Sequence, residues 1–272
     1  MPQWLYDLPA WLFGPAIVLG WVAFGLAGRA AWQRLARRPL ADADRRVAAG
    51  VLAAAATANS LLLAFSAAVA WDARERAAQA AGGEAATLAE LDHQLAVFGG
   101  PDSRAARERL KAYGRSVVAR EWPAMQTRQA DGPTRDAFDA LYRAIGDLHP
   151  ATPHDSQLMP GIWARTDELV RTRSARLDAV EGRVPDALWA VMLLGTALAL
   201  APAFVLPRGR IGGAAAGVLS LSMGLLVFFI AAMDRPFAGP SGLGPDAMAG
   251  ALSGLQHWDA QTAAYADSRG TP

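Results

Sequence analysis

Four windows of the chain run for more than twenty residues without a charged side chain: Leu8 to Gly28, Val47 to Trp71, Ala187 to Pro207 and Ile211 to Met233. A bilayer core of about 30 Å takes about 20 apolar helical residues, so each window is long enough to cross one. Their polar residues are few: Thr57, Asn59, Ser60 and Ser66 in the second, Thr196 in the third, Ser220 and Ser222 in the fourth. Helices apolar on every side lack the polar face that a helix on a soluble core presents to water, so the pattern predicts four transmembrane helices. Met1 to Asp7 has no Lys or Arg, and a secretory signal needs a basic start, so the first window is expected to be an uncleaved span.

The flanking charges repeat. Asp7 precedes the first window and Arg29 follows it; Arg46 precedes the second and Asp72 follows; Asp186 and Arg208 bracket the third, Arg210 and Asp234 the fourth. Up-and-down threading then puts every basic end on one side. Basic residues stay cytoplasmic, and the stretch from Arg29 to Arg46 holds six arginines. The chain is therefore expected to be a multi-pass membrane protein, with the long middle segment extracytoplasmic. Arg74 and Arg76 at one end of that segment, and Arg171, Arg173, Arg176 and Arg183 at the other, run against this pattern.

Between the two hairpins (1–71 and 187–233) the segment 72–186 is charged, Ala-rich and spaced for helices. The predicted class is all-α: a polytopic membrane protein with a helical soluble insert between the second and third spans. Leu88, Leu91, Leu95 and Phe98 share a face of a helix continuing the second span, stopped by Gly99, Gly100 and Pro101. Ala106, Leu110, Tyr113 and Val117 mark a second helix, N-capped by Asp102 or Ser103 and ended near Trp122 and Pro123. A third starts at Thr134 and carries Phe138, Leu141, Ile145 and Leu148; a fourth carries Ile162, Trp163, Leu169, Leu177 and Val180. In 234–272, Gly239 to Gly250 reads as a linker, Met248, Leu252 and Leu255 as a short amphipathic helix, and the part after Trp258 as a mobile tail.

Composition agrees: 53% of the 272 residues are hydrophobic, and 26 Lys+Arg against 25 Asp+Glu give no excess charge for a nucleic acid. The chain has no cysteine, which excludes disulfides and thiolate chemistry. It has no phosphate loop, paired metal-binding histidines or nucleophile elbow, so no enzyme, cofactor or metal site is expected. His149, His154 and Asp155 read as a solvated loop. No ionisable group lies inside a window, which argues against a proton relay. Asn59 and Ser66, seven apart on nearly one face, either line an aqueous pore or bridge helices. Gly213, Gly217, Ser220 and Gly224 share a face for helix packing or for a subunit interface.

The order of two spans, a helical insert and two spans resembles that of the bacterial bestrophin-like membrane proteins of unknown function. So do two strings: Tyr113 with Glu121, Trp122 and Met125, and Asp234, Arg235, Pro236, Phe237 and Gly239. The resemblance covers most of the chain. It implies kinship with bestrophins, oligomeric anion channels whose pore is framed by the second span. Homo-oligomerisation in a lipid bilayer and a small permeant anion are the partners it implies, with Asn59, Phe65 and Ser66 as pore or packing candidates. Two departures stand beside it: bestrophins keep their insert in the cytoplasm, and the aromatic pore-neck pattern is absent around Phe65. A non-conducting scaffold or sensor, whose helical domain binds a partner, is the alternative. Read from the residues alone, Glu121 and Trp122 are a helix cap and a packed anchor. Asp234 and Arg235 mark where the last span meets water, with Pro236 ending the helix.

Overall fold

The computed structural model describes residues 9–35, 42–129, 131–181, 184–205, 209–239 and 241–270. Met1 to Leu8 with Asp7, Arg37 and Arg38 of the basic stretch, Arg183, and the end of the third window at Pro207 and Arg208 lie outside the described residues. Helices follow in the order α1 (Ala10–Leu35), α2 (Asp42–Phe98), α3 (Gly100–Ser116), a π-turn (Val117–Glu121) and α4 (Trp122–Gln126). Then come α5 (Gly132–Gly146), α6 (Pro153–Glu181), α7 (Asp186–Val205), α8 (Arg210–Met233) and α9 (Asp246–Gly270), with no strand among the described residues. The chain forms two compact units: Met1–Arg74 with Gly182–Gly242, and Glu75–Glu181 with Leu243–Pro272.

In the first unit, α1, α2, α7 and α8 are each long and apolar enough to cross a membrane. Phe13, Ile17, Leu63, Met192, Val227 and Ile230 are buried together at its core. Close approach of α1 and α8 depends on small residues. A Cβ added at Gly25 would collide with Ser220 Oγ, and one at Gly224 would lie 3.2 Å from the Val18 backbone. Only half of the expected small-residue face packs within the chain, because nothing lies within 4 Å of a Cβ built at Gly213 or Gly217. The packed seam instead runs through Gly212, Ala216, Ser220 and Gly224, all buried at the four-residue spacing of one face. Pro15 and Pro202 are accommodated inside α1 and α7. Arg29, buried at the end of α1, donates from Nη1 to the Ala203 carbonyl at 3.2 Å. Four residues beyond Ala203 stands Pro207, which has no N–H to offer that carbonyl, so Arg29 caps α7 from a neighbouring helix.

In the second unit, Leu88, Leu91 and Leu95 of α2 are buried, as are Leu110 of α3, Leu141 and Ile145 of α5, and Ile162 and Leu169 of α6. Four details differ from the sequence reading. Asp102 and Ser103 lie inside α3 rather than capping it: the N-cap is Gly99 at φ 72°, and the Ser103 hydroxyl donates to the Leu95 carbonyl. The helix expected to stop near Pro123 continues to Gln126, because Pro123 falls in the first turn of α4, where a missing N–H costs nothing. α5 begins two residues before Thr134, capped by Asp131, whose carboxylate accepts from Thr134 N at 3.0 Å. The C-terminal helix is not short. α9 continues past Trp258 to Gly270, since nothing from Asp259 to Arg269 is Gly or Pro and alanine recurs through it.

The units differ in surface. Large exposed apolar side chains crowd the first, including Leu19, Leu61, Phe65, Leu194, Leu198, Ile211 and Val218. Among the described residues the second unit exposes only Val97, Tyr142 and Tyr265 of this kind.

Candidate functional site

α2 in the first unit buries one narrow stripe, Asn59, Leu63, Ser66 and Ala70, at helical spacings of four, three and four. Asn59 is 7% exposed; its Nδ2 donates to Thr196 Oγ1 at 3.3 Å, and Thr196 in turn donates to the Met192 carbonyl at 2.7 Å. Asn59 Oδ1 is buried without a hydrogen-bond partner and presses on Gly195, where it fills the space an added Cβ would need. Ser66, 2% exposed, donates to the Leu62 carbonyl of its own helix. Phe65 is not brought to these two: it is 64% exposed, on the side that no described residue covers. That side also carries Ala54, Ala58, Leu61, Ala64 and Ala68. Thr57 and Ser60 spend their hydroxyls on the Ala53 and Ala56 carbonyls.

In the second unit, the motif residues Tyr113, Glu121, Trp122 and Met125 converge on a buried ionic cluster. Arg176 of α6 is fully buried and holds Glu84 of α2 with two nitrogens, Nε to Oε2 and Nη2 to Oε1. Its Nη2 also donates to Glu121 Oε2 at 2.5 Å, Nη1 lies 2.7 Å from Met125 Sδ, and the guanidinium sits over the Trp122 ring at 5.6 Å. The Tyr113 hydroxyl donates to Glu84 Oε1. Arg173 donates to Glu121 Oε1 at 2.5 Å and lies over the Tyr113 and Phe138 rings. The two arginines and two glutamates balance in charge. Burial, followed by the charge of Glu84, raises the Tyr113 hydroxyl well above its ordinary value. Burial opposes the charge on Arg176, but Glu84 outweighs it and holds the guanidinium more firmly protonated than usual.

Glu121 is therefore not the helix cap expected, since its side chain makes no capping hydrogen bond and is buried against the two arginines. The π-turn inserts an extra residue per turn and rotates Glu121 inward onto the two arginines. Trp122 is the packed anchor expected: it is buried, and its Nε1 donates to the Leu243 carbonyl at 2.9 Å. Sequence reasoning missed Glu84, Arg173 and Arg176, although a signal exists. Ala77, Ala81, Leu88, Leu91 and Leu95 form a buried stripe with Glu84 inside it, and Ile162, Leu169 and Arg176 recur every seven residues. A charged residue at a core position of an amphipathic helix must have a buried partner.

The second motif is a clasp rather than a water junction. Asp234 to Phe237 are all buried in the first unit, and Asp234 Oδ1 accepts from Val184 N at 2.8 Å, joining the end of α8 to the approach to α7. Past it, Gly239 at φ 77° turns the chain, and Gly242 N donates back to its carbonyl at 3.1 Å. A second ionic group fastens α9 within the second unit. Arg107 donates to both oxygens of buried Asp92, at 3.1 and 2.6 Å, and to Asp259 at 2.6 Å; Lys111 also pairs with Asp259. Trp258 lies against His93, with Arg107 over its ring at 5.4 Å. Burial works against the Asp259 carboxylate, but Lys111 and Arg107 overcome it and lower its pKa. His149 binds the Asp147 carbonyl, and Asp155 accepts from the backbone of Ala151 and Thr152 at the start of α6. Among the described residues no three His, Asp or Glu side chains are grouped to hold a metal.

The comparisons with known proteins agree on the fold. No curated protein matches the chain. A crystal structure of a membrane protein variant superposes with a TM-score of 0.64 at 15% identity, covering 88% of this chain and 95% of that one. A variant of a bacterial bestrophin homolog from Klebsiella pneumoniae superposes with a TM-score of 0.62 at 17% identity, covering 88% of this chain and 96% of that one. The family model for the bestrophin-like domain matches residues 19–248 of the 272, and the chain belongs to that family.

Proposed function

We propose that the chain is one subunit of a homo-oligomeric channel for small anions in the bacterial inner membrane, with α2 facing the conducting axis. Family membership supports a channel over an enzyme. The observation that carries the role of α2 is its uncovered side. Beyond the stripe from Asn59 to Ala70, the helix leaves Ala54, Ala58, Ala64 and Ala68 exposed around Leu61 and Phe65. Small side chains let helices from several copies approach a common axis, where larger ones would hold them apart. An uncharged lining with one ring of Phe65 side chains would pass an anion through an apolar constriction. Asn59 then serves the other of its two sequence readings, as a packing group toward α7, while Ser66 is buried with its hydroxyl on the Leu62 carbonyl of its own helix.

The second unit, with so few exposed apolar side chains, fits a water-facing domain, and the charge pattern favours the extracytoplasmic side for it. The test is to measure the mass of the detergent-solubilised protein and then chloride efflux from liposomes that contain it. A closed oligomer with efflux above that of empty vesicles is expected. An oligomer without flux would favour the scaffold or sensor, to which the absence of charge in all four windows is also suited. A non-conducting monomer would contradict the channel.

A further inference from the structure

α2 is a single helix from Asp42 to Phe98, and the part of it that belongs to the second unit leaves one narrow stripe open. Gln79, Ala86, Glu90, His93 and Val97 are exposed at helical spacings of seven, four, three and four, while Ala81, Leu88, Leu91 and Leu95 are buried on the other side. Counting back along the helix by threes and fours meets Ala68, Phe65 and Leu61, the side proposed to face the conducting axis. Val97 is one of three large apolar side chains that the described second unit leaves exposed, which fits a face that copies of the chain turn toward one another. The stripe also carries an ion pair: Arg165 Nη1 of α6 lies 3.1 Å from Glu90 Oε2, with the two side chains 45% and 54% exposed. A pair so open adds little to stability. Around a symmetry axis, however, every copy contributes the same two charges, and rings of charge act on each ion that passes them. Arg165 attracts an anion and Glu90 repels it, so the pair holds the charge of that stretch near zero.

We propose that Glu90 and Arg165 set the charge selectivity of the conducting path along this stripe, with Arg165 admitting anions and Glu90 offsetting its field. This deepens the channel reading and rests on it. Loss of the Glu90 carboxylate unmasks a ring of guanidinium groups. Loss of the Arg165 guanidinium unmasks a ring of carboxylates, which favours cations.

The full-length protein is placed in planar bilayers under a potassium chloride gradient, and the reversal potential gives the ratio of chloride to potassium permeability. Relative to the wild type, Glu90→Gln is expected to raise that ratio and Arg165→Gln to lower it, each on the order of threefold in dilute salt. Both changes are expected to fade as the salt approaches about 1 M, where the screening length falls to about 3 Å. Glu168→Gln frees another exposed arginine of α6, Arg171, and is expected to leave the ratio as it is in the wild type. Equal ratios for the wild type, Glu90→Gln and Arg165→Gln in dilute salt, in protein that conducts, would overturn the assignment of the pair. A change of the same size in Glu168→Gln would overturn it too, since any surface charge would then serve. A wild type that carries no current would contradict the channel reading itself, and the pair's role with it.

Discussion

Arg176 and Glu84, 92 positions apart in the chain, are both completely buried and joined through two guanidinium nitrogens. Each charge is tolerable only because the other is there. Removing one partner of a buried pair leaves an uncompensated charge at a cost of about 3–5 kcal/mol. Arg176→Met is expected to destabilise the second unit by that amount, since it strands Glu84 without a cation and leaves Glu121 only Arg173. Adding Glu84→Leu is expected to recover part of the loss. Denaturant unfolding of the detergent-solubilised protein measures both, and strict additivity of the two substitutions would contradict the pairing.

Tyr113 gives the same cluster an alkaline limit. Burial and Glu84 hold its hydroxyl protonated in the folded protein to higher pH than in the unfolded chain. A raised folded pKa contributes stability that is complete below the unfolded value of about 10 and is lost as pH rises through the folded one. Unfolding midpoints are expected to be level through neutral pH and to fall above about pH 10. Tyr113→Phe is expected to remove that alkaline fall while costing about 1 kcal/mol at neutral pH through the lost hydrogen bond. An identical alkaline profile in the Phe variant would contradict this role.

Asp259 sets an acid limit for α9. Lys111 and Arg107 lower its pKa below the ordinary carboxylate range despite burial, so docking is complete above the unfolded value of about 4 and is lost as pH falls through the folded one. Amide exchange of α9 is expected to be slow at pH 6 and faster in Asp259→Asn at the same pH. High salt is expected to speed exchange in the wild type toward the variant's rate, because the pair is partly exposed.

Gly195 and Asn59 constrain each other inside the first unit. Gly195→Ala would drive a methyl group into Asn59 Oδ1, and overpacking of this kind costs about 1–3 kcal/mol. Asn59→Ala clears the space, so the double variant is expected to be less destabilised than the sum of the singles. Thermal midpoints in detergent test the cycle.

The four helices apolar enough to cross a membrane were legible because charge-free windows leave a strong one-dimensional trace; α7 and α8 each start one residue before their windows, whereas α1 runs seven residues beyond Gly28, α2 starts five residues before Val47, and α2 carries on into the second unit as its spacing predicts. The site was legible only in part. Tyr113, Glu121 and Trp122 stood out as a string, but what gathers them is Arg176, some fifty residues on, together with a π-turn that leaves no mark in residue type. Asp234 and Arg235 read as water-facing because they follow an apolar run. The burial of Asp234 depends on the Val184 backbone, which only the folded chain brings to it. α9 was cut short at Trp258 because a polar, Ala-rich stretch carries no apolar stripe, and Asp259, the residue that pins it, looks like any surface acid.

Because the chain contains no cysteine, a single one can be placed on the uncovered side of α2. Chloride efflux from liposomes containing Ala58→Cys, measured before and after a membrane-impermeant thiol reagent, tests the placement of that face on a conducting axis most directly. Efflux is expected before the reagent and block after it, with the wild type insensitive. Efflux that continues unchanged once the introduced thiol is fully modified, or an absence of efflux from correctly inserted oligomers, would contradict it.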